Sequence, residues 1–265
     1  HRGVENDKML ASALPEGVSS LIIGGHSHTQ LNQPLIESGI SITQAGRALK
    51  FLSLIQLSVM PNGNQKVEAK LLPINLNGHT DKRIAAKVEA YEKNNPRLHE
   101  NLATTAQPIE GLDALGYLMA DALCAETGAD FALVNKGGVR LGLLPEGTIS
   151  SKQVYTLDPF GNEAMLVNLT GHELLDLFKR GFIDDKNRLL DPSKALHATY
   201  YIEDENHLDR ITLALADGSP IDMQKTYKVA CNAYMSTAFK FAHTDKGQNL
   251  FRTTADLLID YLKKV

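Results

Sequence analysis

The apolar positions in the first third of the chain follow the spacing of β-strands. Residues 18–23 form a short apolar run that Gly24-Gly25 stops, as a buried parallel strand ending in a loop would. Further strands are predicted at residues 40–43, 52–59 and 66–75, the last two joined by the turn Pro61-Asn62-Gly63-Asn64. This part of the chain is therefore expected to be mostly β.

The pattern changes near residue 77. Residues 82–93 place Ile84, Val88 and Tyr91 on one side of an otherwise polar helix that Asn94-Asn95-Pro96 closes. A charged helix between two apolar regions predicts a connection between domains.

Helices and strands alternate through the rest of the chain, which predicts an α/β domain. Helices are expected at 113–127, within 147–157, at 170–179 and at 254–263, and strands at 130–134, 164–169, 198–203, 208–215 and 226–231.

Composition bounds the classes of function. The 265 residues are 43% hydrophobic and 22% charged, so one or two globular domains are expected. The net charge of −4 and the lack of a Lys/Arg run argue against nucleic acid or an anionic membrane as a partner. No apolar stretch reaches the ~18 residues of a membrane span. Cys124 and Cys231 fit no metal or disulfide spacing, and two small buried side chains are expected.

The segment Gly24-Gly25-His26-Ser27-His28 is the strongest local signal. Two imidazoles at i and i+2 beyond a buried strand can reach one crevice, and the glycines allow a tight backbone. Histidine is the commonest transition-metal ligand at neutral pH. The alternative is a hydrogen-bonded surface turn, and the short pattern leaves both open.

Two loops carry further candidate chemistry. Asn135-Lys136-Gly137-Gly138-Val139-Arg140 follows a strand and could present backbone N–H groups and a guanidinium to an anion, or be an ordinary βα connection. In Asp158-Pro159-Phe160-Gly161-Asn162, Phe160 could be a platform for a nucleobase or a lid over the core.

These three segments, in this order, resemble the 5'-nucleotidase family. The resemblance implies the closing strands and hairpin of an α/β/β/α metallophosphoesterase sandwich in residues 1–77, a linker helix in 78–100, and a C-terminal substrate-binding domain with a mixed sheet in 101–265. It also implies a two-metal hydrolase of nucleotides or nucleotide sugars, in the periplasm or at the cell surface.

The resemblance assigns roles to individual residues. His1, in His1-Arg2-Gly3, together with His26 and His28 would be metal ligands, with Zn, Mn, Mg, Co or Ca as the two divalent ions. The implied substrate-binding residues are Asn135, Gly137, Gly138 and Arg140 at the phosphate, and Phe160, Asn162 and Tyr234 (in Asn232-Ala233-Tyr234) at the base.

The chain also departs from the family pattern. Tyr234 is followed by residues 235–240, Met-Ser-Thr-Ala-Phe-Lys, and not by Gly-Gly-Asp-Gly, and residues 104–112 contain no arginine. The family's bridging Asp and catalytic His segments are not in the sequence. We therefore expect a fragment that holds no catalytic residue and is inactive by itself. A non-catalytic ligand- or partner-binding protein and a hydrolase of another substrate, such as a sugar phosphate, are the competing hypotheses.

Overall fold

The computed structural model describes residues 1–15, 17, 20–75, 77–184, 189–204 and 207–265. Val18 and Ser19 of the first predicted strand lie outside the described residues. The chain divides into two compact units, His1–Val88 and Glu89–Val265. The domain bounds expected from the sequence, 1–77, 78–100 and 101–265, stay a prediction.

The first unit contains a small sheet and a hairpin. Its elements are α1 (Val4–Ala13), β1 (Leu21–Ile23), β2 (Leu35–Glu37), β3 (Ile40–Thr43), β4 (Phe51–Val59) and β5 (Gln65–Pro73). The three-stranded sheet has the order β1-β3-β2, with β3 parallel to β1 and antiparallel to β2. Ala11 of α1 packs against Ile40 and Ile42 of β3. Strands β4 and β5 pair over their whole length as the predicted hairpin.

Helix α2 (Lys82–Asn94) is present where the sequence predicts a helix, followed by a 3₁₀ turn at Pro96–His99. Ile84, Val88 and Tyr91 share one side of α2, and no residue of α2 is buried.

The second unit is built on a five-stranded mixed sheet. Its elements are β6 (Asn101–Thr105), β7 (Ile109–Glu110), α3 (Leu112–Thr127), β8 (Phe131–Asn135), β9 (Leu143–Leu144), β10 (Gly147–Ser150), α4 (Ser151–Leu157), β11 (Glu163–Thr170), α5 (Gly171–Asp184), β12 (Leu190–Pro192), β13 (Leu196–Asp204), β14 (His207–Leu215), β15 (Thr226–Asn232), α6 (Ala233–Ala238), β16 (Gln248–Thr253) and α7 (Thr254–Leu262). The sheet has the order β12-β8-β15-β11-β16. Only the β8–β15 pair among these described strands is parallel.

Both faces of this sheet are covered by apolar side chains. Leu133 of β8 points into a cluster that includes Phe178 of α5, whereas its neighbour Val134 joins a cluster with Leu115 of α3 and Leu258 of α7. Successive side chains of a β-strand point to opposite faces of the sheet, as these two residues do. The predicted α/β class with a mixed sheet is confirmed.

Two further expectations concern cysteines and membranes. Cys124 and Cys231 are both free thiols; Cys231 is buried in the core as expected, whereas Cys124 is only half-buried. None of the helices in the described ranges combines the length and the apolarity needed to cross a bilayer.

Candidate functional site

Three of the sequence motifs meet at one edge of the main sheet. The parallel strands β8 and β15 both end at an asparagine, Asn135 and Asn232. Strand β11 runs antiparallel to β15 and pairs its residue Ala164 with Asn232, so the segment Phe160–Asn162 that precedes β11 reaches the same edge. In α/β sheets, ligands bind in the crevice outside the carboxyl ends of the parallel strands. The topology therefore places the candidate phosphate and base segments where such folds bind ligands.

The two asparagines are joined by a buried hydrogen bond. Asn232 Nδ2 donates to Asn135 Oδ1 at 3.0 Å, and Asn232 Oδ1 accepts from the backbone N–H of Met235 at 2.8 Å. The second bond caps the N-terminus of α6, which presents Tyr234. A Cβ at Gly138 would lie 3.3 Å from Asn135 Oδ1, so the turn passes close over this amide. One buried pair thus connects the turn after β8 to the segment after β15.

Arg140 and Phe160 are in direct contact. The guanidinium carbon of Arg140 lies 4.9 Å from the centroid of the Phe160 ring, within the range of a cation–π interaction. The Arg140 backbone N–H donates to Leu157 O at 2.9 Å, and Gly161 supplies a positive φ of 61°. Phe160 is 47% exposed as a residue, so part of its surface is open to solvent. A cation and an open ring side by side can bind an anionic group and a flat group of one ligand.

The remaining base-site candidates lie on the flanking segments. Tyr234 is 50% exposed in the first turn of α6, with its ring edge-on to Phe239 at 6.2 Å between centroids. The Asn162 carbonyl accepts from Thr254 N at 2.9 Å, and this holds the loop after Phe160 against the start of α7. Residues 235–238, where the family pattern places Gly-Gly-Asp-Gly, continue α6.

Asp158 anchors the loop that carries Phe160. Its buried carboxyl group accepts a hydrogen bond from Thr254 Oγ1. Burial raises the pKa of Asp158, and the hydrogen bonds from Thr254 and the Phe160 backbone oppose that rise. The loop is therefore held at both ends by the first residue of α7.

A charged cluster with no motif in the sequence includes Lys136, the first residue of the turn after β8. Lys136 Nζ is 2.7 Å from Asp113 Oδ1 of α3 and 3.8 Å from Asp191 Oδ1 of β12. Burial raises the pKa of Asp191 to about 7, the charge of Lys136 opposes that rise and the charge of Asp113 adds to it. The available signal was a carboxylate inside the apolar run 189–192.

In the first unit, the structure brings two of the three candidate metal ligands together. The rings of His1 and His26 are 5.3 Å apart between centroids and nearly perpendicular. The double glycine makes this possible, because a Cβ at Gly25 would lie 2.7 Å from His1 Nδ1 and a Cβ at Gly24 would collide with buried Asp7.

The geometry of this pair is compatible with a shared ion. Two imidazoles on one tetrahedral ion, with metal–nitrogen bonds of about 2.1 Å, have ring centres roughly 5 Å apart. His26 and His28 both have positive φ, 78° and 57°, a strained conformation that clusters at functional sites. Within the described parts of the chain, however, no group of three His, Cys, Asp or Glu side chains is placed to hold a metal ion. The spacing of the His1 and His26 rings keeps both as candidate ligands, and the role of His28 in a metal site stays a prediction.

The second unit is thus an α/β domain on a mixed sheet, with Arg140 against the Phe160 ring at the carboxyl ends of its parallel strands. Residues 87–242 match the family model described as 5'-nucleotidase, C-terminal domain. The chain belongs to this family, as the motifs in the sequence predict.

Individual relatives extend the likeness over the chain. The Trifunctional nucleotide phosphoesterase protein YfkN of Bacillus subtilis is 25% identical over all of this chain, which covers 20% of that protein. Protein UshA of Escherichia coli is 24% identical over 87% of this chain, which covers 49% of it. The crystal structure of a 5'-nucleotidase precursor from Thermus thermophilus matches with a TM-score of 0.79 and 25% identity, over the whole chain and 60% of its own. The chain thus spans between about a fifth and three fifths of these relatives.

Proposed function

We propose that this chain supplies the substrate-binding part, and a portion of the metal site, of a metal-dependent phosphoester hydrolase acting on nucleotides or related phosphate esters. The observation that carries the proposal is the Arg140–Phe160 contact at the edge of the sheet, where the motifs after β8 and β15 also end. Family membership supports the same conclusion.

The second unit would bind the two ends of the substrate. Arg140, with the backbone of Gly137 and Gly138 and the Asn135 amide beside them, would hold the phosphate, because a guanidinium matches phosphate oxygens with paired N–H donors. Phe160 and Tyr234, each about half exposed, would stack on the base, with Asn162 as a polar contact. Since Arg140 lies on the Phe160 ring, the phosphate and the base would be bound by adjacent side chains.

The first unit would contribute His1, His26 and His28 to the metal site. Divalent ions, when bound, generate a hydroxide nucleophile and stabilise the attacking and leaving oxygens of phosphoryl transfer. Among the described residues no group of three potential ligands is placed to hold a metal ion, so we expect the 265 residues alone to bind substrate without turning it over. A periplasmic or cell-surface location is part of the same proposal, and cell fractionation tests it.

The proposal is tested first by binding. Isothermal titration of the chain with AMP and UDP-glucose should show saturable binding. Arg140→Met should weaken the affinity roughly ten- to hundredfold through a lost charge-assisted contact, and Phe160→Ala should do so by a similar factor through lost stacking. Matched controls come from the Arg210–Tyr201 pair, a second cation–π contact of 4.1 Å on the β13–β14 hairpin. Arg210→Met and Tyr201→Ala should leave the affinity unchanged.

The second test uses the full-length protein encoded by the gene. Metal-dependent phosphate release from a nucleotide, a cyclic nucleotide or a UDP-sugar supports the hydrolase. Binding without hydrolysis would favour a non-catalytic binding protein, and hydrolysis of sugar phosphates that do not need Phe160 would favour another substrate. Absence of both binding and hydrolysis would refute the proposal.

A further inference from the structure

Lys136 connects three elements of the second unit. It is the first residue of the 3₁₀ turn Lys136–Gly138, and its ammonium contacts Asp113 in the first turn of α3 and Asp191 on the edge strand β12. The Lys136 side chain is 17% exposed and that of Asp191 is 1% exposed. We call Lys136, Asp113 and Asp191 the Lys136 cluster.

The turn that Lys136 begins leads directly to Arg140. The Lys136 carbonyl accepts from Val139 N at 3.1 Å, and Arg140 N donates to Leu157 O at 2.9 Å. The residue before the turn, Asn135, is fixed by its bond to Asn232. The turn is therefore anchored at its start by the Asn135 amide and the Lys136 side chain, and just beyond its end by the Arg140 N–H.

The Lys136 cluster includes a carboxylate in a place where burial is unfavourable. Asp191 Oδ2 is buried and has no hydrogen-bond partner among the described residues, and a buried carboxylate is unfavourable unless it is paired and fully hydrogen-bonded. A side chain at Gly116 of α3 would collide with this carboxylate. The position therefore holds a glycine, which has a lower helix propensity than alanine. Apolar packing alone does not explain this arrangement, because an apolar residue at position 191 would bury no unpaired carboxylate oxygen.

We propose that Lys136 is a positioning residue: held by Asp113 and Asp191, it fixes the turn that presents Arg140, and the phosphate affinity of the site depends on this contact. The inference rests on the proposed function, because Arg140 is the group being positioned. Lys136 itself acts through the turn and does not need to touch the ligand.

The first experiment measures the turn without any ligand. Hydrogen–deuterium exchange in the full chain should be at least about tenfold faster at the Val139 and Arg140 amides in Lys136→Met than in the wild type, since these amides report local opening. Lys136→Arg, which keeps the charge, should restore most of the protection. The matched control is Lys263→Met, which removes an equally short but more exposed ion pair, 2.7 Å to Glu100. Unchanged exchange in Lys136→Met would overturn the proposal.

The second experiment distinguishes positioning from Coulomb attraction by the direction in which the ligand affinity changes. In titrations with inorganic phosphate and with AMP, Asp113→Asn removes a negative charge near the site, so Coulomb attraction alone predicts tighter binding. Positioning predicts weaker binding, by about three- to tenfold, because Lys136 loses its closest partner. Asp113 is on the surface, so this variant should fold even if Asp191→Asn does not.

The outcomes distinguish the two proposals. Equal or tighter phosphate binding by Asp113→Asn would overturn the positioning role while leaving Arg140 as the phosphate group. If the wild type binds neither phosphate nor AMP, the proposed function itself fails, and with it the role of the Lys136 cluster in ligand binding.

Discussion

Asp191 should make the stability of the chain fall as the pH rises from 3.8 to about 7. Its folded-state pKa is raised to about 7 from the ordinary value of 3.8, chiefly by burial. Between these two values the folded protein holds a proton that the unfolded chain has released. The free energy of unfolding therefore decreases with pH in this window and levels off above it. A difference of about three pKa units corresponds to at most ~4 kcal/mol, the value for full burial with no relaxation.

The assay is urea unfolding of the wild type and Asp191→Asn across the pH range from below 3.8 to above 7. The asparagine cannot titrate, so the wild type should lose stability relative to it as the pH rises. Asp245→Asn is the control, because the Asp245 pKa is lowered by hydrogen bonds from Gly247 and Asn168. The stability that Asp245 contributes is lost as the pH falls from about 5 through 3.8, so its difference curve should be flat between about pH 5 and pH 7. A flat or rising curve for Asp191 would refute the reasoning.

Two further predictions concern buried contacts. Gly116→Ala should lower the free energy of unfolding by about 1–3 kcal/mol, because its Cβ collides with the Asp191 carboxylate; Gly142→Ala, with open space around it, should be near neutral in the same urea titration. Asn232→Ala should cost about 2–4 kcal/mol, from a lost helix cap and an unsatisfied Asn135 amide. Thr253→Ala, which removes only the cap of α7, should cost about 1 kcal/mol, and equal losses would contradict the account.

The sequence predicted the elements whose apolar pattern is regular. The strand at 130–134 and the helix at 113–127 are observed as β8 and α3 within one or two residues. The same holds for the hairpin β4–β5 and for α2. In each, period-2 or period-3.6 spacing coincides with a boundary residue such as Gly128, which ends α3 in the left-handed conformation.

Elements without such a pattern were missed. Helix α1 is largely polar and buries only Asp7 and Ala11, so no apolar stripe marks it. Helix α6 has only six residues and begins at the Asn232 cap, and β16 is recognised only by its pairing with β11. Their existence depends on tertiary contacts, which local spacing does not encode.

In the candidate site, too, individual residues could be recognised in the sequence, whereas the residues they contact could not. The sequence identified Gly25 as a residue that permits a tight backbone turn. It did not show that Gly25 makes room for the His1 ring, because that contact joins residues 24 positions apart. Gly116 carried no signal at all, since a glycine inside a helix usually only weakens it, yet it accommodates Asp191 from a strand 75 positions away. A glycine thus marks where a polar group can approach the backbone closely. The topology decides which group approaches, because it brings the second segment to the glycine. Arg140 and Phe160 were therefore predictable from their motifs, whereas the contacts of Lys136 were not.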